Sequence, residues 1–121
     1  MTETNELGSI RIADEVVSII AGLAATEIEG LAGMSGGVTG GISEMLGRKN
    51  LSKGVKVEVG EKDATINLYV VVKYNYPIPD IAVAVQETVK EAVEGMTGLE
   101  VLEVNLHVQG VVFEKDAEKE E

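Results

Sequence analysis

The fold of this chain is decided by residues 66–96, which begin with the alternating segment Ile66-Asn67-Leu68-Tyr69-Val70-Val71-Val72-Lys73-Tyr74. Side chains alternate between the two faces of a β-strand. One face therefore carries Ile66, Leu68, Val70, Val72 and Tyr74, and the other carries Asn67, Tyr69 and Lys73. This pattern predicts a strand with one buried and one solvated face.

A turn and a helix follow this strand. Pro77 and Pro79 cannot donate to a sheet ladder, while Pro79 and Asp80 both suit the first turn of a helix. Apolar residues then recur at helical spacing, at Ile78, Ile81, Ala82, Val85, Val89, Val93 and Met96. Gly95 and Gly98 offer left-handed caps. The segment predicts a β–α–β unit with parallel strands and a right-handed crossover.

The N-terminal third repeats part of this pattern. Residues 1–7 are expected to be a flexible lead-in, followed by a short strand over residues 9–12. Asp14 is a candidate N-cap for a helix that ends at Gly30, and residues 31–34 can form a brief strand. The apolar stripe of this helix consists of Val16, Val17, Ile20, Leu23, Ala24 and Ile28.

The remaining segments complete a mixed sheet. Residues 55–59 alternate and turn back into the central strand as a hairpin, and residues 102–112 form the last strand, with a bulge expected near Val101 and Leu102. We predict an α+β fold with two layers, a mixed β-sheet carrying two helices on one face. A ferredoxin-like arrangement is the alternative. The single domain spans residues 8–113, contains a Gly-rich basic loop at 33–54, and precedes a disordered acidic tail at 114–121.

Composition excludes several classes of function. The net charge of -11 opposes binding to nucleic acid or to an anionic bilayer, and no apolar run reaches the ~20 residues of a membrane span. The absence of Cys excludes disulfides, thiolate catalysis and Cys-ligated metals. The N-terminus lacks the features of a signal peptide, so we expect a cytoplasmic protein that reaches a membrane, if at all, through a partner.

The sequence offers no catalytic, cofactor-binding or metal site. His107 is the sole histidine and lacks a nucleophile or a second metal ligand at a meaningful spacing; a surface histidine is the plainer interpretation. The Gly-rich loop could cradle an anion through its amides, but the spacing of a phosphate-binding loop is missing and a mobile surface loop is the alternative.

Two sets of residues are candidates for protein contacts. Arg48, Lys49, Lys53 and Lys56 form the one basic cluster of an acidic chain and could meet a phosphate group, an acidic partner or a second copy; a solvated loop is the alternative. Tyr69 and Tyr76 are expected to be exposed, as interface tyrosines often are, with Tyr74 packed under the helix start. The corner at residues 76–79 could equally be a rigid structural turn.

Taken together, these residues resemble the alkaline shock protein family of Gram-positive bacteria, in particular its YloU-like branch. The resemblance runs from about Leu7 to Phe113. It is carried by the segments at residues 8–12, 27–30, 47–55, 76–79, 85–86, 96–99, 104–105 and 110–111.

The resemblance implies a small non-enzymatic protein linked to envelope or alkaline stress. It further implies self-association and contact with a membrane-anchored protein, and it supplies no catalytic residues. The alternative function is an anion- or ligand-binding accessory domain of a fatty-acid or dihydroxyacetone-type kinase system.

Overall fold

The computed structural model describes residues 2–35 and 53–113, which form six strands and two helices. The strands are β1 (Thr2–Asn5), β2 (Gly8–Arg11), β3 (Leu31–Met34), β4 (Val55–Val59), β5 (Asp63–Lys73) and β6 (Glu100–Val112). The helices are α1 (Asp14–Thr26) and α2 (Ile78–Thr97). The predicted acidic tail and most of the Gly-rich loop lie outside the described residues.

Strand β5 is the centre of the main sheet. Along one side it pairs in parallel with β6, from Asp63 opposite Glu100 to Lys73 opposite Val112. Along the other side it pairs antiparallel with β4 and then with β3, which lie end to end. The sheet is therefore mixed, and the predicted hairpin and parallel β–α–β unit are both confirmed.

Both helices pack on one face of this sheet and against each other, over a core of Val, Ile, Leu and Ala side chains. Strand β5 alternates between buried and half-buried residues along its whole length, as its sequence predicts. Helix α2 buries the stripe Ile81, Val85, Val89, Val93 and Thr97. The predicted two-layer α+β fold is confirmed, and no described element covers the opposite face of the sheet.

The ends of the helices follow local sequence signals to different degrees. Helix α2 begins after Pro77 and ends at Thr97. Its C-cap is Gly98, with a left-handed φ of 79° as predicted, whereas Gly95, the other predicted cap, lies inside the helix. Helix α1 departs from the prediction, because Ala13 is the N-cap and Asp14 lies inside the first turn without a capping hydrogen bond. Its last residue is Thr26, one turn before Gly30.

The N-terminus also differs from the expected lead-in. Thr2–Asn5 pair antiparallel with Gly8–Arg11 as a separate two-stranded sheet, so the strand before α1 does not join the main sheet as a ferredoxin-like arrangement requires. The Asn5 Oδ1 atom accepts hydrogen bonds from the N–H groups of Leu7 and Gly8 and closes the turn. Residues 4–11 are all exposed.

Strand β6 contains the predicted bulge. Ala64 pairs with Val101 and Thr65 pairs with Glu103, so that Leu102 is the additional residue. A second shift of register, at Gln109, was not predicted. These two shifts determine which β6 side chains stand beside those of β5.

Candidate functional site: the open face of the sheet

The two ends of the Gly-rich loop meet the sheet at Tyr69. The N–H of Tyr69 donates to the carbonyl of Gly54 at 2.7 Å, and the N–H of Ser35 donates to the carbonyl of Tyr69 at 2.7 Å. The pairing of β3 with β5 therefore ends, and the pairing of β4 with β5 begins, on either side of Tyr69. Lys53 and Lys56, which flank Gly54, are exposed beside this junction.

Three side chains from three strands form a row across the open face, which we call the cross-sheet row: Lys56, Tyr69 and His107. The Tyr69 and His107 rings stack with centroids 4.5 Å apart and an interplanar angle of 12°. The Lys56 ammonium nitrogen lies 5.5 Å from the Tyr69 ring centroid, within the range of a cation–π interaction. A cation and two aromatic rings are therefore held in place before any partner arrives.

Amide side chains fix the end of the row. The Asn67 Oδ1 atom lies 3.2 Å from His107 Nε2 and accepts from Asn105 Nδ2 at 3.3 Å. An amide oxygen can only accept, so His107 Nε2 is the donor of this hydrogen bond. Asn105 Nδ2 also lies 3.2 Å from Glu103 Oε1. This network orients the ring of His107 through the amide oxygen of Asn67.

The contacts of His107 show which groups this face presents. His107 contacts an amide and a phenol ring, neither of which makes it a general base for a neighbouring nucleophile. Among residues 2–35 and 53–113 there is also no group of three His, Asp or Glu side chains able to hold a metal ion. The row offers ring surfaces, an ammonium group and hydrogen-bonding groups to a partner.

The structure brings part of the predicted contact set together. Lys53, Lys56 and Tyr69 lie at the loop junction, whereas Arg48 and Lys49 fall outside the described residues. His107 was expected to be a surface histidine, but its alignment with Tyr69 was not predicted. That alignment depends on the bulge at Leu102, whose position fixes the register of β6 against β5.

Tyr69 was expected to be exposed and is half-buried, and the predicted placement of the other two tyrosines is reversed. Tyr76 is partly buried and packs against the core, while Tyr74 is 56% exposed and contacts Phe113 at 4.9 Å between ring centroids. The reason is that β5 ends at Lys73 and Asn75 has a φ of 78°, which turns the chain before Tyr76. A Cβ placed on Gly30 would lie 3.0 Å from the Tyr76 ring, so the corner is tightly packed.

A cleft of about 320 Å³ lies beside Tyr76, between the end of α1 and the start of α2. Its two charged lining residues, Glu29 and Asp80, are both acidic. Carboxylates repel an anionic ligand, so this cleft does not suit a phosphorylated compound.

The two described helices were compared with the requirements of a membrane span. Neither is both long enough and apolar enough to cross a membrane.

Comparison with known proteins places the chain in a family. A model described as the alkaline shock protein 23 family, with cell envelope-related function, matches residues 2–113. The uncharacterized protein YqhY of Bacillus subtilis (strain 168) is 39% identical over 117 residues, which cover 97% of this chain and 87% of that protein. The uncharacterized protein YloU of the same strain is 38% identical over 106 residues, covering 86% of this chain and 88% of YloU.

A stress response regulator, the gls24 homolog of Streptococcus pyogenes serotype M1, is 33% identical over 114 residues. The match covers 93% of this chain and 64% of that protein. A solved structure of a MamM-CTD variant shares the fold, with a TM-score of 0.50 and 14% identity over 81% of this chain and 98% of the other. On the family match and these relatives, the chain belongs to the alkaline shock protein 23 family, whose described function is related to the cell envelope.

Proposed function

We propose that this protein is a non-enzymatic interaction protein of the envelope stress response, acting by self-association and by contact with a membrane-anchored protein. The observation that carries the proposal is the cross-sheet row on a sheet face that no described element covers. Family membership supports the link to the envelope, and the stress-regulator relatives support the link to stress.

The row has the properties of a contact surface. Tyr is enriched in the cores of protein interfaces, where it contributes a large ring at a small cost in conformational entropy. Here Tyr69 is held by stacking on His107 and by the nearby ammonium group of Lys56. A surface organised before binding loses less entropy when the partner arrives.

The distribution of charge supports an acidic partner. Lys56, a member of the row, and Lys53, beside Gly54 at the loop junction, are exposed, whereas the whole chain carries a net charge of -11. A local basic surface on an acidic molecule attracts acidic surfaces, including those of a second copy. The same basic residues would meet an acidic segment of an anchored partner.

The first test reverses these charges. We expect Lys53→Glu combined with Lys56→Glu to weaken self-association about tenfold, since losing two exposed charge contacts costs about 1.4 kcal/mol in total. Light scattering across a concentration series at low and moderate salt gives the molar mass. For the unmodified protein the mass should rise with concentration and fall with salt, because salt screens exposed charges.

The matched control is Arg11→Glu combined with Lys62→Glu, which changes the net charge equally at exposed residues away from the row. An equal loss of association in both double variants would exclude the row and leave only a general charge effect. Reversal of Arg48, Lys49 and Lys53 tests the loop itself.

The second test concerns the anchored partner. Membrane vesicles prepared from the cells that produce the protein should retain it, and protease treatment of the vesicle surface should abolish retention. The reason is that an acidic protein is repelled by anionic lipid and needs a protein receptor. Vesicles of pure anionic lipid serve as the control. Retention on these, or on protease-treated membranes, would contradict the proposal.

A further inference from the structure

The free edge of β6 can be identified from the hydrogen bonds of Tyr69. Tyr69 directs its N–H and C=O groups away from β6, toward Gly54 and Ser35. In each residue pair of a parallel ladder, only one of the two residues makes backbone hydrogen bonds to the other strand, and that role alternates from pair to pair. His107, paired with Tyr69, therefore bonds to β5, and its neighbours Leu106 and Val108 direct their backbone groups to the free edge.

The first half of this edge is closed by polar side chains of α2. The N–H of Val101 donates to Glu94 Oε2 at 2.9 Å, and its carbonyl accepts from Lys90 Nζ at 3.4 Å. One turn earlier in the helix, Gln86 Nε2 donates to the carbonyl of Val104 at 3.0 Å. These bonds occupy both backbone groups of Val101 and the carbonyl of Val104, which another strand would need.

The next part of the edge is open. In the described portion of the chain, the N–H and C=O groups of Leu106 and Val108 have no hydrogen-bond partner. The next residue of α2 in this direction is Val83, which is apolar and 52% exposed, and Val108 is 36% exposed. The helix that closes the first half thus offers an apolar side chain in place of a polar one.

The sequence of the open part lacks the usual protection. Exposed edge strands commonly carry charged residues or proline, which prevent pairing with another chain. Residues 104–112 contain neither, although 26% of the whole chain is charged. The bond from Gln86 to Val104 and the register shift at Gln109 confine the regular unpaired edge to residues 105–108, which we call the open edge.

We propose that the open edge pairs antiparallel with the open edge of a second copy, so that the sheet continues from one molecule into the other. A two-fold axis perpendicular to the sheet makes two identical edge strands run antiparallel. With Leu106 of each copy opposite Val108 of the other, their N–H and C=O groups form reciprocal hydrogen bonds. The Val83 side chains flank the joint on the helical side. This inference rests on the proposed self-association and adds a second surface to the row, the edge of the same sheet.

A second copy suits this edge better than the exposed β1–β2 hairpin. Each copy carries a net charge of -11, so close approach is least opposed where both surfaces are uncharged. The open edge meets that condition with itself, whereas the hairpin contains Glu3 and Arg11.

Amide hydrogen exchange tests the pairing directly, with the full chain at dilute and concentrated conditions and molar mass measured in parallel. The amides of Leu106 and Val108 should exchange rapidly when dilute and become protected as the mass rises. The His107 amide, which bonds to β5, is the internal control and should be protected at both concentrations.

Two variants complete the test. Val83→Lys places like charges on both sides of the joint and should weaken association by about tenfold or more. Val16→Lys is its control on α1, at a similar exposure of 45%. Val108→Pro removes an N–H that the β5 ladder does not use and should also weaken association. Circular dichroism checks that each variant folds. If Val108→Pro does not fold, the conclusion depends on Val83→Lys alone.

The outcomes separate this inference from the proposed function. Concentration-dependent protection at Leu106 and Val108, lost in Val83→Lys, supports the pairing. A rising mass without that protection overturns it and leaves self-association through another surface. Protection that includes residues 8–11 overturns it in favour of the hairpin as occupant. A monomer at every concentration overturns both the pairing and the self-association.

Discussion

Gly54 is the residue on which the junction of β3, β4 and β5 depends. Its φ of 77° lies in the left-handed region, and its carbonyl accepts from the N–H of Tyr69 at 2.7 Å. A Cβ at this position would lie 2.9 Å from the carbonyl oxygens of both Ser35 and Tyr69. Neither the conformation nor the space suits another residue.

We therefore predict that Gly54→Ala destabilises the protein by about 1–3 kcal/mol, the usual cost of a strained backbone position. Thermal unfolding should show a fall in Tm of roughly 3–6 °C per kcal/mol, since the chain is intermediate in size between small and medium domains. Because Tyr69 anchors the row as well as the junction, the Tyr69–His107 stack should loosen too, which NMR shifts of the His107 ring would report.

Gly95→Ala is the matched control for that prediction. Gly95 lies in the last turns of α2 and has nothing within 4 Å of an added Cβ. Alanine is preferred to glycine in a helix by roughly 0.5–1 kcal/mol, so this variant should unfold at a higher temperature. A Gly54→Ala protein as stable as the unmodified one would show that the junction can shift without cost.

At the scale of elements, the spacing of apolar residues predicts which face of a strand or helix is buried. Alternation in β5 and the stripe of α2 each report a single buried face, and the structure has both. The parallel pairing of β5 with β6 follows because a helix connects them. The bulge at Leu102 was visible as two adjacent apolar residues, Val101 and Leu102, which a regular strand cannot place on one face.

Features set by backbone turns or by contacts between distant elements were harder to predict. The shift at Gln109 adds a residue without disturbing any obvious pattern, since Gly110 has no side chain. The exchange of roles between Tyr74 and Tyr76 depends on the left-handed Asn75. The cross-sheet row needs the register of three strands at once, which single-strand periodicity does not contain.

Helix α2 has two functional surfaces, a buried apolar stripe and a polar side that contacts β6. Its buried stripe is an ordinary helical pattern, but Gln86, Lys90 and Glu94 satisfy backbone groups of β6. In sequence these residues resemble any solvated helix face. Their role depends on the helix lying along the edge of the sheet, so it emerges only with the tertiary structure.

At the scale of the whole molecule, the main sheet and the two helices form the core, and the β1–β2 hairpin is a separate two-stranded sheet. Residues 4–11 are exposed, with Leu7 at 98% and Ile10 at 50%, and β1 and β2 pair with each other alone. An isolated two-stranded hairpin is marginally stable in water. The first residue packed against the core from this end is Ile12.

We accordingly predict that deletion of residues 2–11 shifts the Tm by no more than about 3 °C, since removing exposed groups changes the unfolding free energy by roughly 0.5 kcal/mol or less. Deletion through Ile12 is the comparison and should cost more, because it removes an apolar side chain from the core. The same pair also bears on assembly. If the open edge of β6 joins two copies, the shorter deletion should leave the molar mass at each concentration unchanged. A shorter deletion that lowered the Tm as much as the longer one would show that the hairpin supports the domain, and one that abolished association would make the hairpin the contact.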